Sequence, residues 1–306
     1  MRINTLEQVK QYVNVANTFT HSNLNAHELI AFSAHINRYF DTSFCDSILD
    51  SESTDAGMIE AQKYTEGALV YFSMYQWAQT GELLIGDLGI MRTENNESKT
   101  AYSGQIKKME SSFLENGFVF LSELIRTIER FPELFEDYEN QPAFLNRSQL
   151  IIKNTLDFQA RQFMIRPFLL FPSLVPAQID AIDSFLRAQL TNAIVDEFIS
   201  GITDDEDKNA KEIALNFTKN ALVNYTMALA FKQNLVKLTP IGVMMYSSDK
   251  DTDQQLYNPS DADKTHVQIE NYLIWGNNYL SKAVNHLIIN NILPAPEVVA
   301  AKTFIP

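Results

Sequence analysis

Apolar positions recur at helical spacing along almost the whole chain. Leu6, Val9 and Val13 begin a short amphipathic helix, and Leu29, Phe32, Ile36 and Phe40 form the stripe of a second, with Asn23 or Asn25 placed to cap it. A polar stretch carrying Asp46, Asp50, Asp55 and Gly57 reads as a loop. Residues 58–79 then read as a long third helix, apolar around most of its circumference through Leu69, Val70, Phe72, Met74, Tyr75 and Trp77, as suits the centre of a bundle. Ile106, Met109, Phe113, Gly117, Leu121, Leu124 and Ile128 mark a fourth helix, which Phe131-Pro132 stops. Residues 133–147 read as a connection. Beyond it, residues 158–171 are expected to be extended or short-helical because of Pro167 and Pro172, and Pro176 reads as the first residue of a new helix. That helix carries Ile179, Ile182, Leu186, Leu190 and Ile194 and closes at Gly201. A long helix over 209–236, a polar loop over 247–263 and a last helix with Tyr272, Leu280, Val284 and Leu287 complete the pattern.

The second half repeats the first. Asn4-Thr5-Leu6 returns as Asn154-Thr155-Leu156, and Leu29, Phe32, Ile36 and Phe40 return as Ile179, Ile182, Leu186 and Leu190. At a slightly larger offset Leu69, Val70 and Met74 return as Leu222, Val223 and Met227, and Gly89-Ile90-Met91 as Gly242-Val243-Met244. Shared order of elements is the mark of a repeated unit. The expected fold is therefore mainly α: two tandem, similar helical-bundle units over residues 1–147 and 148–293, with long loops and an extended C-terminal arm over 294–306. Gly89 and Gly242 are expected as loop joints, where a long helix stops and the chain turns through a conformation that glycine enters cheaply. Residues 86–99, 247–263 and 294–306 lack apolar periodicity and are expected to reach other subunits.

Composition narrows the function classes. Twenty-four basic against thirty-eight acidic side chains give a net charge of −14, which opposes nonspecific binding to nucleic acid or an anionic membrane. No signal peptide or membrane span is expected, because the most apolar window, 163–175, is broken by Arg166, Pro167 and Pro172. The single cysteine, Cys45, cannot form an internal disulfide.

Catalytic signatures fail on spacing. His27 and His35 stand eight residues apart on one helix, more than two turns, and cannot share an ion as a zinc pair four apart does. Asp263 with His266 has no duplicate in the first half, as a carboxylate-bridged metal bundle would need. Asp249, Asp251 and Asp253 resemble the first three ligands of a calcium loop, but Gln254 and Ser260 stand where its glycine and glutamate belong. No catalytic, cofactor-binding or metal residue is expected, and no cofactor. The run Asp204, Asp205, Glu206 and Asp207 suits the N-terminal end of the next helix, where carboxylates meet the positive end of the helix dipole.

The doubled arrangement of a short helix (INTLEQVKQYV or NTLDFQARQFM), an amphipathic helix, a long helix leading to G-[IV]-M and a closing helix resembles a family of proteins from crAss-like phages and prophages of Bacteroidetes. That family is similar to a duplicated head-to-tail connector, or adaptor, of tailed phages. The resemblance covers about residues 3–294. It implies a non-enzymatic virion protein at the junction of head and tail, made in the bacterial host cytoplasm. Its partners would be copies of itself in a ring, the portal protein and neighbouring tail or connector rings, with DNA passing through without tight binding and no membrane. Asp204 to Asp207 and Asp249, Asp251 and Asp253 would then face the channel or solvent. A helical enzyme or ligand-binding bundle, whose polar groups meet only in three dimensions, is the alternative; a cellular adaptor comes third.

Overall fold

The computed structural model describes residues 3–15, 19, 22–80, 83–86, 89–92, 103–233, 236–239, 242–245 and 260–294. The chain is mainly helical and divides into two compact units. Unit 1 comprises Met1–Leu145 with Arg166–Pro172, and unit 2 comprises Asn146–Ile165 with Ser173–Pro306.

The units repeat one another element by element. In unit 1, α1 (Leu6–Tyr12) is followed by α2 (Ser22–Ala31), a π-helical turn over Phe32–Ile36, α3 (Thr42–Leu49), α4 (Ala56–Thr80), β1 (Leu83–Gly86), β2 (Gly89–Arg92) and α5 (Ser103–Arg130). In unit 2 the same order runs through α6 (Thr155–Gln159), α7 (Pro167–Ala181), a π turn over Ile182–Leu186, α8 (Asn192–Ser200), α9 (Lys208–Lys232), β3 (Val236–Thr239), β4 (Gly242–Met245) and α10 (Ser260–Ile289). Both central helices, α4 and α9, have 25 residues, and both π turns have five. The π turns carry matching bonds, Asn37 N–H to Phe32 O at 2.9 Å and Arg187 N–H to Ile182 O at 3.0 Å. A π turn is uncommon, so its recurrence at the same place is strong support for the duplication.

Local chemistry starts these helices where it does. Thr5 caps α1 in a reciprocal capping box with Gln8: the Gln8 N–H donates to Thr5 Oγ1 at 3.2 Å and the Thr5 N–H to Gln8 Oε1 at 3.0 Å. In the second copy the repeated tripeptide is used one residue earlier, with Asn154 accepting from the Asp157 N–H at 2.7 Å. The second helix begins at Ser22, so neither Asn23 nor Asn25 is its cap. The expected polar loop before the long helix is interrupted by α3. Asp41 caps it through the Phe44 N–H at 2.8 Å, and Phe44, Cys45 and Ile48 are buried.

The centre of each unit is one repeated packing motif. Gly117 of α5 lies against the Phe72 ring of α4, and Gly276 of α10 against the Tyr225 ring of α9; an added Cβ would sit 2.5 Å and 2.7 Å from those rings. On its other side the Phe72 ring stacks on His35 at 4.5 Å, and the Tyr225 ring stacks on Phe185 at 4.2 Å. His35 and Phe185 hold the same position in the two π turns. The glycine lets two long helices approach, and the π turn presents a flat ring to the face left over. Phe72 and Tyr225 are both fully buried, each removing from water a side chain whose burial contributes about 1.5–3 kcal/mol.

Two elements depart from the sequence expectation. First, no strand was expected, yet each long central helix is followed by a two-stranded antiparallel ribbon, with Gly86 opposite Gly89 and Thr239 opposite Gly242. Apolar runs of four residues are too short for periodicity to separate strand from helix end. Second, the helix expected to run from Pro176 to Gly201 begins at Pro167, continues through Pro172 and Pro176, and breaks after its π turn, with α8 starting afresh behind an extended Thr191 cap. Those prolines remove backbone donors, but Phe168, Leu169, Leu170, Phe171, Leu174 and Val175 are all buried along it, and this burial outweighs the loss. With its π turn the helix spans Pro167–Leu186 and is long and apolar enough to cross a membrane, where the sequence reading expected no span; 56% of its apolar window is buried within the protein.

The division between units falls inside α7. Phe168 and Leu169 belong to the core of unit 1, together with Phe135, Ala143 and Phe144 of the expected connection. Arg166 pairs with Glu115 at 3.2 Å and lies over the Phe118 ring, and the Tyr39 hydroxyl approaches Leu169 O at 3.5 Å. Residues 133–145 are therefore packed structure rather than a free linker.

Candidate functional site

The acidic run at 204–207 lies between α8 and α9. Asp204, Asp205 and Glu206 are exposed, and Asp207 occupies the cap position of α9. Two of the four carboxylates are engaged by lysines. Lys208 reaches Asp204 at 3.0 Å on the surface, whereas Lys211, itself buried, donates to Asp205 at 2.7 Å and to Glu197 at 3.0 Å. Glu197 also accepts the Thr203 N–H at 3.0 Å, and Asp205 the Asp207 N–H at 3.0 Å.

Lys211 thus clamps the end of α8 to the turn before α9. The bond from Lys211 holds the Asp205 carboxyl below its usual range. For Glu197 burial pushes upward, but the Lys211 and Thr203 bonds outweigh it and the carboxyl is also lowered. Lys211 is raised in turn, chiefly by its bond to Asp205. Sequence reasoning missed Lys211 and Glu197 because they lie fourteen residues apart on different helices and share no local spacing.

A second ionic knot ties α6 to α9. Asp157 accepts from Lys219 at 2.7 Å and pairs with Arg161, which also donates to Asn216 at 3.0 Å. The matching junction of unit 1 uses a neutral donor: the Tyr12 hydroxyl reaches Glu66 at 3.0 Å, and burial, followed by the Glu66 charge, raises its pKa. Glu66 and Lys219 hold equivalent places on the two central helices with opposite charge. These groups lock elements together.

The other sequence candidates separate as follows. His35 is enclosed by Phe72, Tyr75 and Phe118 and lies 3.2 Å from Gln76 Nε2, an aromatic-core histidine. His266 lies 3.5 Å from Glu270 on an exposed helical face. Among the described residues no three His, Cys, Asp or Glu side chains gather as metal ligands. Gly89 and Gly242 each open the second strand of a ribbon. They therefore do not end the long helices, which stop at Thr80 and Lys232. Asp249, Asp251 and Asp253, and the arm after Pro294, lie outside the described residues.

The surface adds a feature that charge and motif did not reveal. On α10, Tyr272, Gly276, Leu280, Ala283 and Leu287 face the protein, while Val267, Ile274 and Trp275 are 54%, 54% and 46% exposed. Residues seven apart stack along one side of a helix, so Val267 and Ile274 lie opposite the buried face, and Trp275 sits on its flank, edge-on to the Tyr272 ring at 5.8 Å.

The chain belongs to a family of unknown function, DUF6712, whose sequence profile matches residues 28–147 and 181–294. The matched stretches fall one in each half of the duplication. No curated protein and no solved structure matches the chain.

Proposed function

We propose that this protein is a structural component of a tailed-phage particle, a head-to-tail connector that assembles as a ring of identical copies beneath the portal. The observation that carries the reading is the duplicated helical unit with a short ribbon after each central helix. A two-stranded ribbon is marginal alone in water, and its open edges offer unpaired N–H and C=O groups to another chain. Leu83, Leu84, Ile85, Ile90 and Met91 in one ribbon and Val236, Leu238, Val243, Met244 and Met245 in the other supply apolar sequence for such contacts. The exposed Val267, Ile274 and Trp275 add a lateral surface. A connector works by assembly and needs no nucleophile, acid or metal. Its excess of carboxylates keeps a passing duplex from adhering, since each cation aimed at a phosphate would add affinity.

Electron microscopy of the purified protein at rising concentration, or of its parent particle, tests the reading. Closed rings of this chain at the junction of head and tail are expected. A protein that stays monomeric at all concentrations, and is missing from purified particles, sinks it.

A further inference from the structure

Two helices expose uncharged faces where their counterparts in the other repeat carry charge. In α2 and its π turn the exposed positions Leu29, Ile30, Ser33, Ala34 and Asn37 recur at helical spacing, with Leu29 and Ile30 74% and 52% exposed. In α7 and its π turn, Asp180, Asp183 and Arg187 stand in place of Ile30, Ser33 and Asn37, and they are held in local pairs. Asp180 accepts from Gln233 at 3.2 Å, and Arg187 reaches Asp183 at 3.1 Å. In α10 the shared glycine register sets Ile274, Asn285 and Ile289 where α5 has Glu115, Arg126 and Arg130. Val267, Ile274 and Ile289 are exposed, whereas Glu115 pairs with Arg166 at 3.2 Å and Arg126 with Glu123 at 2.9 Å.

In a tandem array the first and last repeats ordinarily present polar outer faces, which keep the array soluble. Here the polarity is reversed. The charged faces belong to α5 and α7, which adjoin in sequence at the middle of the duplication, and the uncharged faces to α2 and α10 at its two ends. Unit 1 shows what the closing helix of a repeat receives. Glu115 and the Phe118 ring of α5 take Arg166, the residue before α7, and Phe168 and Leu169 from the first turn of α7 join the same core. We propose that α10 of one copy receives the opening helix of the next copy in the same way, with the stripe of Val267 and Ile274 against Leu29 and Ile30 of that copy's α2. A chain that offers two different faces to its neighbours makes a heterologous contact, which closes as a ring when the rotation allows. The inference rests on the self-assembly in the connector reading and names the faces that meet; it does not depend on a place in the particle.

Giving each stripe its counterpart's residue tests it in the full chain. Ile274→Glu installs the residue of α5, and Ile30→Asp that of α7. The two isoleucines are 54% and 52% exposed, so each variant should fold, as far-UV circular dichroism checks. Val267→Lys, which installs the counterpart Lys108, makes the same test at the other end of the α10 stripe. In sedimentation velocity each single variant should self-associate at least about tenfold more weakly than wild type, because a charge loses its water in an apolar contact. A mixture of the Ile274→Glu and Ile30→Asp chains keeps one intact face on each partner. It should form a one-to-one dimer, and nothing larger, at concentrations where neither variant associates alone. Variants that assemble like wild type overturn the proposal and leave the connector reading standing. Loss of assembly in only one variant, with no rescue in the mixture, also overturns it, in favour of a face that pairs with itself. A wild-type chain that is monomeric at all concentrations overturns it too, and its presence or absence in purified particles then decides the connector reading separately.

Discussion

At the scale of single residues, the two helical glycines and one lysine carry the sharpest consequences. Gly117 and Gly276 exist for close approach, so Gly276→Val drives two methyl groups toward the Tyr225 ring, where a Cβ alone already meets it at 2.7 Å. The Tyr225 hydroxyl donates to Asn277 at 2.7 Å, and burial pushes its pKa up to about 12. The ring is thus held at both ends and cannot swing aside without loss. Overpacking of this kind costs about 1–3 kcal/mol, and urea unfolding of Gly276→Val should show a midpoint lowered accordingly. Lys211 makes a different prediction, in pH. The carboxyls of Asp205 and Glu197 are lowered in the folded protein, so their contribution is complete above the unfolded carboxylate range, about pH 4, and is lost as pH falls through the folded values. Lys211→Met removes the cause of the lowering. The variant should be less stable than wild type at pH 7, and the difference should narrow below about pH 4 in thermal scans. A gap that stays constant down to pH 2 would mean that Lys211 acts through its aliphatic stem alone.

At the scale of elements, α7 is divided between the two units. Its first turns belong to unit 1 and the rest to unit 2, so a change in Phe168 should be felt in unit 1 although the residue lies in the second half of the sequence. Phe168→Ala is expected to cost about 3–5 kcal/mol, as large aromatic truncations in cores do. Hydrogen exchange locates the effect: the slow amides of α4 should accelerate more than those of α9. The ribbons revise the expectation for Gly89. Extended backbone is open to any residue, so Gly89→Val should disturb the helix packing of α4 little. How much of the elements was legible follows the same physics. The long helices were read from 3.6-residue periodicity to within a few residues, because each buries one continuous face. α3 was lost because eight residues with three buried positions look like a loop, and the start of α7 because three prolines argue locally against a helix that distant apolar contacts sustain.

At the scale of the whole molecule, the connector reading leads to a statement about nucleic acid. With a net charge of −14, carboxylates outnumber the cations that could neutralise phosphates, and Lys208, Lys211 and Lys219 are already paired to carboxylates. An acidic wall repels duplex DNA over about one Debye length, roughly 8 Å at physiological salt. The purified protein should therefore show no measurable duplex affinity in an electrophoretic or anisotropy assay at physiological salt. A tight affinity that falls steeply with added salt would contradict the charge argument and favour a DNA-gripping role.

The sequence by itself determined the mainly helical class, the duplication and its register, since the burial of a helix face leaves its period in the chain and a repeated unit leaves it twice. It also showed that known catalytic spacings are missing, because those are fixed by the geometry of one helix or loop. Only the tertiary structure decided that His35 lies in an aromatic cage, that Lys211 joins Glu197 to Asp205, and that residues 166–172 serve unit 1 while their neighbours serve unit 2. These choices pair residues distant in sequence, and a side chain's partner across the fold is set by which faces meet, a quantity that no local period records.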